Sequence, residues 1–325
     1  MVEQPARVFV TGALGFIGRR AADRYRALGA EVRGVDLRDD PSLGVVAGDV
    51  TEPGPWQDHM QGCDLVVHTA AVIGFGGRFE RYWRVNAMGT HHALAGAARA
   101  GAQRFLHLSS IVVFGIDFPD GVDESYPVHP TGSPYTDTKI AGEQAVLAAH
   151  AAGDVPCTIV RPGDVYGPRS GPWAISVAKT VKAGLFALPD GGSGIFSPAY
   201  VDNLVDGIAL AAAEPRAVGQ VFTITDGIGM ENQRYFEHFS RWLGKPPPRS
   251  LPAAVLKAGS WPVEKAAELR GGESDMNPAT VDYMCRRGTY SIRKAREMLG
   301  YEPRVSFEEG MERMRSWLED EGLLS

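Results

Sequence analysis

The stretch SPYTDTKIAGEQ, residues 133–144, sets Tyr135 four places before Lys139. On a helix, positions i and i+4 share a face, so the phenol and the ammonium can approach one another. Such a pair can do acid–base work on an alcohol oxygen. A free phenol, with a pKa of about 10, is some three units too weakly acidic to serve as a base at neutral pH, a deficit of roughly 4 kcal/mol. A cation about 4 Å away supplies on the order of 4 kcal/mol at an effective dielectric near 20. A hydroxyl to orient the substrate oxygen would complete the site, and LHLSSIVVFG ends an apolar run in Ser109 and Ser110. The spacing alone is a weak signal. Tyr-x-x-x-Lys arises by chance in many chains, where the tyrosine is a buried aromatic with a basic neighbour.

A second constellation raises the weight of the first. TGALGFIG follows an apolar run and opens a helical pattern, with Gly12, Gly15 and Gly18 three residues apart. Bare backbone lets a pyrophosphate approach, and its charge then sits at a helix N-terminus with unpaired N–H groups. The next apolar run ends in Asp36, about 18 residues after Gly18, near the spacing at which an acid accepts the adenosine ribose hydroxyls. A tight structural turn would explain the glycines but not Asp36. A carboxylate there repels a 2′-phosphate, so NAD is expected over NADP. Arg38 is the complication, since a guanidinium could neutralise that phosphate or stack on adenine. Asp49 and Val50 are candidates to hold the adenine, with a capped strand end as the equal alternative for Asp49. A dinucleotide implies hydride transfer, which needs the proton-handling group that Tyr135 offers. The positive ring of an oxidised nicotinamide would aid Lys139 in lowering the phenol.

These residues need a scaffold. RVFVTG (7–12), EVRGVDL (31–37), LGVVAGDV (43–50), DLVVHTAA (64–71), RFLHLSS (104–110) and CTIVRP (157–162) read as strands alternating with helical patterns. Near-continuous apolar strands imply a parallel sheet covered on both faces, an α/β doubly wound Rossmann fold. In the first helix Ile17, Ala21, Tyr25 and Leu28 recur at helical spacing and Gly29 stops it. After about residue 165 glycine and proline become frequent, and helices over 231–243 and 253–269 stand without strand partners. The expectation is a dinucleotide-binding domain over 1–165 and a smaller, mostly helical substrate lobe over 166–325, with segments around 200–225 returning to the first. Near the end, Ser291 can cap a helix that ends at Gly300, and SFEE (306–309) is a capping box. Phe307, Met311, Met314 and Leu318 form one apolar face there, read as core.

Composition narrows the classes. The chain has 325 residues, 44% hydrophobic and 22% charged, with a net charge of −6. It is large enough for a substantial core, and its acidity argues against a nucleic-acid partner. Cys63, Cys157 and Cys285 are odd in number and far apart, which fits reduced thiols and a cytoplasmic setting. Glu3 and Pro5 stand where a secretory leader would carry basic charge, and no apolar run approaches the roughly 20 residues of a membrane span. His91 and His92 fall within a helix and form no metal motif, so no metal is expected. Ser110 lies in no Gly-x-Ser-x-Gly elbow.

The motifs together carry a resemblance covering essentially the whole chain. It is similar to the extended short-chain dehydrogenases/reductases of the NAD-dependent epimerase/dehydratase superfamily. TGALGFIG resembles the cofactor loop, HTAA the mid-sheet signature, VNAMGT the segment with a structural asparagine (Asn86), and PYTDTK the catalytic Tyr-x-x-x-Lys. RPGDVYGP and PAYVDNLVDGI resemble the landmarks that follow. The resemblance implies a Ser110, Tyr135 and Lys139 triad, with Tyr135 the acid/base and Lys139 also holding the nicotinamide ribose. It adds Phe16, Ile17, Ala70, Ala71, Pro162 and Val165 to the cofactor-binding residues, and implies a homodimer through helices near 80–100 and 135–152.

Departures within that family set the expected substrate. Ile111 and Val112 stand where the dehydratases have an Asp-Glu pair, Asp164 where sugar-nucleotide epimerases tend to have asparagine, and Phe196 where they have arginine. The closer likeness is to the 3β-hydroxysteroid dehydrogenase-like branch, whose ending YSIRKAREMLGYEPRVSFEEGMERMRSW resembles. A hydrophobic secondary alcohol or ketone, steroid-like or arylalkyl, is therefore expected, touched by Phe75, Ile111 and Phe196. A nucleotide-sugar epimerase is the alternative, with Arg169, Lys179 or Lys182 replacing the lost arginine. A non-catalytic dinucleotide sensor is the remote one, since such proteins usually lose the tyrosine or lysine.

Overall fold

A computed structural model describes residues 5–270, 272 and 274–325. Glu3, on which the leader expectation partly rests, lies outside them. Strand β1 (Arg7–Thr11) sends Val8 and Val10 into one apolar cluster and Phe9 into another, and all three are fully buried. A strand dry on both faces is what a parallel sheet between two helical layers requires. Six more strands join it: β2 (Glu31–Asp36), β3 (Val45–Ala47), β4 (Leu65–His68), β5 (Arg104–Leu108), β6 (Cys157–Pro162) and β7 (Val221–Ile224). The order is β7-β6-β5-β4-β1-β2-β3, every pairing parallel. The fold is thus the α/β doubly wound one. Strand order reverses between β1 and β4, where such sheets open a crevice beyond the strand C-termini.

The helices explain themselves locally. In α1 (Phe16–Ala27) Ala21, Ala22 and Tyr25 face the core, and Gly29 at φ +92° ends the turn. Helix α2 (Gly89–Arg99) continues a segment, Phe79–Tyr82 and then a wide π-type turn over Trp83–Met88. It packs against α3 (Pro134–Ala152), which Pro134 opens and Gly153 closes. Asn86 in the π-type turn accepts from the Val72 amide (2.8 Å) and donates to the Val72 carbonyl (3.0 Å) and to Thr138 (3.1 Å). One side chain therefore ties the loop after β4 to α3. Helix α4 (Val201–Ala213) lies against α1, joined by Arg20–Asp202 and Arg24–Asp206 pairs.

The remaining chain holds α5 (Asn232–Trp242), α6 (Ala253–Leu269), α7 (Pro278–Cys285), α8 (Arg293–Leu299) and α9 (Phe307–Asp320). It is less purely helical than composition implied: Asp164–Tyr166 pairs with Pro198–Tyr200, Ile195–Phe196 with Met230–Glu231, and Ala187–Pro189 with Arg249–Leu251. These pieces of two or three residues are too short to show a period of two in the sequence. The Ser291 hydroxyl accepts from the Arg293 amide at 3.3 Å, and Gly300 closes α8 at φ +63°. SFEE forms half a capping box, since Ser306 accepts the Glu309 amide while the Glu309 carboxylate turns to Arg313. Phe307, Met311, Met314 and Leu318 are buried. All three cysteines are free thiols.

Candidate active site

Three strand ends meet at the crevice. After β1, Gly12 adopts φ +67°, a left-handed conformation that glycine takes without strain, and its carbonyl accepts the Gly15 amide at 3.0 Å. A Cβ at Gly18 would fall 2.1 Å from the Gly12 carbonyl oxygen, so this helix turn can approach the loop only without a side chain. The N-terminus of α1 has no side-chain cap and no acidic residue in its first turn. Its donors are left for an anion, which fits a dinucleotide pyrophosphate. Phe16 and Ile17 lie half-buried in that turn.

Asp36, at the end of β2, is half-buried beside the loop. Its carboxylate accepts the amides of Leu14 (2.9 Å) and Leu37 (2.8 Å). It therefore braces the glycine loop. Arg38 is exposed. Asp49 caps its own turn through the Thr51 amide at 2.8 Å, which is the structural alternative weighed for it. Val50 is buried against Gly89, with its carbonyl on His92. Ala70 and Ala71 follow β4 on the crevice side, half-buried, with the Ala70 amide on the Thr11 hydroxyl (3.2 Å). Pro162 and Val165 are buried at and after the end of β6.

Ser110 follows β5, its hydroxyl accepting the Val112 amide at 3.3 Å and lying close enough to the Tyr135 phenol to act on its pKa. Ser109, its neighbour, is buried with no hydrogen-bond partner for its hydroxyl. Lys139, one turn after Tyr135, is buried and donates to the Leu108 carbonyl at 2.6 Å. Burial pushes the phenol up to about 12, with the Ser110 hydrogen bond pulling the other way. Burial likewise pushes the Lys139 ammonium down to about 8, against the pull of Glu143. The lowering of the phenol is expected of Lys139 together with an oxidised nicotinamide ring, and Lys139 is not among the causes that act on the phenol from the protein side. Its ammonium is directed at the strand-end carbonyl, and desolvation of both groups dominates.

Beside the first turn of α3 lies a cavity of 290 Å³, lined by Phe75, Val112, Pro134 and Tyr283 among others. No Lys or Arg lines it among the described residues, whereas Glu264 and Asp282 do. Phe75 sits edge-on to Tyr135 at 6.0 Å between ring centroids and against Tyr283 at 4.7 Å. The two other residues expected at the substrate are not brought there. Ile111 is fully buried in a cluster with Phe114 and Ile140. Phe196 is fully buried, stacked on Tyr235 at 4.0 Å and against Trp173 at 5.0 Å. An apolar residue at a position where relatives bind charge can as well be closing a core. Arg169, Lys179 and Lys182 are exposed and do not line the cavity. A hollow of 820 Å³ near Arg33, Val45 and His59 lies away from all these groups.

Sequence reasoning missed Tyr283 and its support. The Tyr283 hydroxyl donates to Asp164 at 2.6 Å, and Arg286 donates to the same carboxylate. Nothing local could have marked this, because Asp164 and Arg286 lie 122 residues apart. Among the described residues no cluster of His, Cys, Asp and Glu is placed to hold a metal, and no helix is long and apolar enough to cross a membrane.

Residues 8–225 match the NAD dependent epimerase/dehydratase family. The 3-beta-hydroxysteroid dehydrogenase of Mycolicibacterium neoaurum is 31% identical, over 94% of this chain and 89% of its own. The 4-hydroxy-2-methyl-3-oxo-4-farnesyl-3,4-dihydroquinoline-1-oxide ketoreductase of Stigmatella aurantiaca is 29% identical, over 95% of this chain and 96% of its own. Among solved structures, the UDP-glucose 4-epimerase of Thermotoga maritima with UDP-glucose superposes with a TM-score of 0.78, covering 97% of this chain and 99% of its own at 21% identity. That last likeness is one of fold.

Proposed function

The chain belongs to the NAD-dependent epimerase/dehydratase family, and on that premise we propose that it is an oxidoreductase interconverting a secondary alcohol and a ketone on an apolar substrate, with NAD preferred over NADP. One observation carries the reading: Ser110 lies beside the Tyr135 phenol with Lys139 one turn on, and Phe75, edge-on to that phenol, helps line a cavity that carries aromatic and aliphatic groups, two carboxylates and, among the described residues, no cation. The similarity to a hydroxysteroid dehydrogenase and a ketoreductase supports the same chemistry. Gly12, Gly15 and Gly18 would hold the pyrophosphate, Asp36 the adenosine ribose and Lys139 the nicotinamide ribose.

Held by Gly12, Gly15, Gly18, Asp36 and Lys139, a bound nicotinamide dinucleotide would supply hydride-transfer chemistry and, in its oxidised form, a positive charge. Tyr135 moves the accompanying proton at the substrate oxygen, donating it as the carbonyl becomes an alcohol and accepting it in reverse. Ser110 holds that oxygen in line with the phenol. Because burial keeps the Tyr135 proton in place at neutral pH, the residue is ready as an acid without further tuning. The base direction requires the charges of Lys139 and the oxidised ring together.

The test offers NADH with aryl alkyl and steroid ketones, and NAD with the matching alcohols, beside UDP-glucose. Turnover of an apolar pair is expected, with Tyr135→Phe at least about 10²-fold slower and its NADH affinity nearly unchanged. Epimerisation of UDP-glucose without net NADH change would replace this reading with the nucleotide-sugar one. Cofactor binding with no turnover of any kind would favour a sensor.

A further inference from the structure

Resting on that reading, we propose that Tyr283 determines substrate specificity as the outer half of an aromatic wall begun by Phe75, and that the buried Asp164–Arg286 pair exists to position it. Tyr283 is gripped at three points. Its hydroxyl donates to Asp164 Oδ1 (2.6 Å), its carbonyl accepts Arg286 Nη1 (2.9 Å), and its ring lies 3.7 Å beneath the Arg286 guanidinium. Asp164 is filled in turn: besides Tyr283 and Arg286 it accepts the Ser197 amide at 2.8 Å. The two side chains are 0% and 1% exposed.

An ion pair so deeply buried is a poor source of stability, since desolvating both charges offsets their attraction. Fixing the geometry of a neighbour is what such a pair does well, and the neighbour here is Tyr283. The Phe75 loop is tied to the same region. A Cβ at Gly76 would fall 2.3 Å from the Ser274 carbonyl oxygen, so the loop lies directly on the segment leading into α7. Phe75 then reaches Tyr135 on one side and Tyr283 on the other, giving a continuous run of rings outward from the acid/base phenol. Both Phe75 and Tyr283 line the cavity, and the charges behind the wall are spent on each other. A substrate whose ring system extends away from its carbonyl would pack on this wall. A short ketone would not reach Tyr283.

The experiment compares 1-indanone and butanone as probes, by steady-state kinetics and by calorimetric titration of 1-indanone into the NADH-bound enzyme. Tyr283→Ala is expected to raise KM and weaken binding for 1-indanone about tenfold, the scale of one lost apolar contact in a pocket. Its kcat and its kinetics on butanone stay within about threefold. Asp164→Asn, which leaves a buried guanidinium unpaired, shifts KM in the same direction. Asp164→Asn with Arg286→Met strands no cation but loses both Arg286 contacts to Tyr283, so the KM for 1-indanone stays raised. Thermal melts establish that each variant is folded, and Tyr283→Leu, which keeps apolar bulk without the ring, is expected to raise the KM for 1-indanone severalfold and serves if Tyr283→Ala does not fold. Equal losses on both ketones, a change in kcat alone, or a double variant with the wild-type KM overturns the positioning role. The titration needs no turnover. If 1-indanone binds the wild type more tightly than Tyr283→Ala while neither ketone is reduced, the wall stands and the oxidoreductase reading falls.

Discussion

Burial acts oppositely on the two titrating groups of the site, and each shift has a consequence for stability. Lys139 falls to about 8 from the usual 10.5, so between these values the unfolded chain binds more protons than the folded one. Stability from this group therefore rises with pH through that window, and at neutral pH the buried charge is a net cost of at most about 3 kcal/mol. Lys139→Met is expected to unfold at higher urea than wild type at pH 7 and to lose that advantage by pH 10.5, while turnover collapses. Identical midpoint differences at the two pH values would contradict a buried, destabilising ammonium. Tyr135, raised to about 12 by burial, contributes stability of the opposite pH dependence, present below pH 10 and lost as pH climbs through 12. Asp36 joins binding to structure, because its carboxylate also accepts the Leu14 amide. Asp36→Asn keeps an acceptor for that amide while removing the charge, so the ratio of KM values for NADP and NAD should fall severalfold with little change in melting temperature. A wild-type preference for NADP would mean that Arg38 outweighs the carboxylate.

At the level of elements, the β1–loop–α1 unit is built around close backbone approach. Gly18→Ala would drive a methyl group into the Gly12 carbonyl, which is backbone and cannot swing aside. The loop must open, and NADH affinity should fall at least about tenfold while far-UV dichroism is retained. Titrating NADH fluorescence on the two proteins checks this, and unchanged affinity would show that the loop yields elsewhere. The π-type turn ahead of α2 has an equivalent task. It brings Asn86 to Val72 and Thr138 at once, and so fixes the loop carrying Phe75 relative to the helix carrying Tyr135.

On the scale of the molecule, the π-type turn leading into α2 runs so close to α3 that a Cβ at Gly142 would lie 3.0 Å from the Asn86 carbonyl oxygen. The segment 79–88 ahead of α2 carries Phe79, Trp83 and Met88, and α3 carries Leu147, each at least 36% exposed. Two copies joined through these helices would bury them in a four-helix arrangement. Sedimentation should give twice the mass of one chain for the wild type and a single-chain mass for Leu147→Arg with Met88→Arg, with NADH binding preserved. A monomeric wild type at micromolar concentration would remove the dimer.

The sequence by itself determined whatever rests on local spacing. Strand periodicity and the glycine triplet with Asp36 marked the sheet and its cofactor crevice, and Tyr135 and Lys139 share a face because four residues is one helical turn. It also located CTIVRP as β6 to the residue. The tertiary structure decided what depends on partners distant in the chain. It made β3 three residues long, paired short segments into small sheets, and drew Phe196 and Ile111 into cores where only the packing of other elements could say they belonged. It joined Asp164 to Arg286 and Tyr283, a contact across more than a hundred residues that no local pattern encodes. It also set the acid–base balance at Tyr135, because desolvation depends on everything packed around a group and not on its neighbours in sequence.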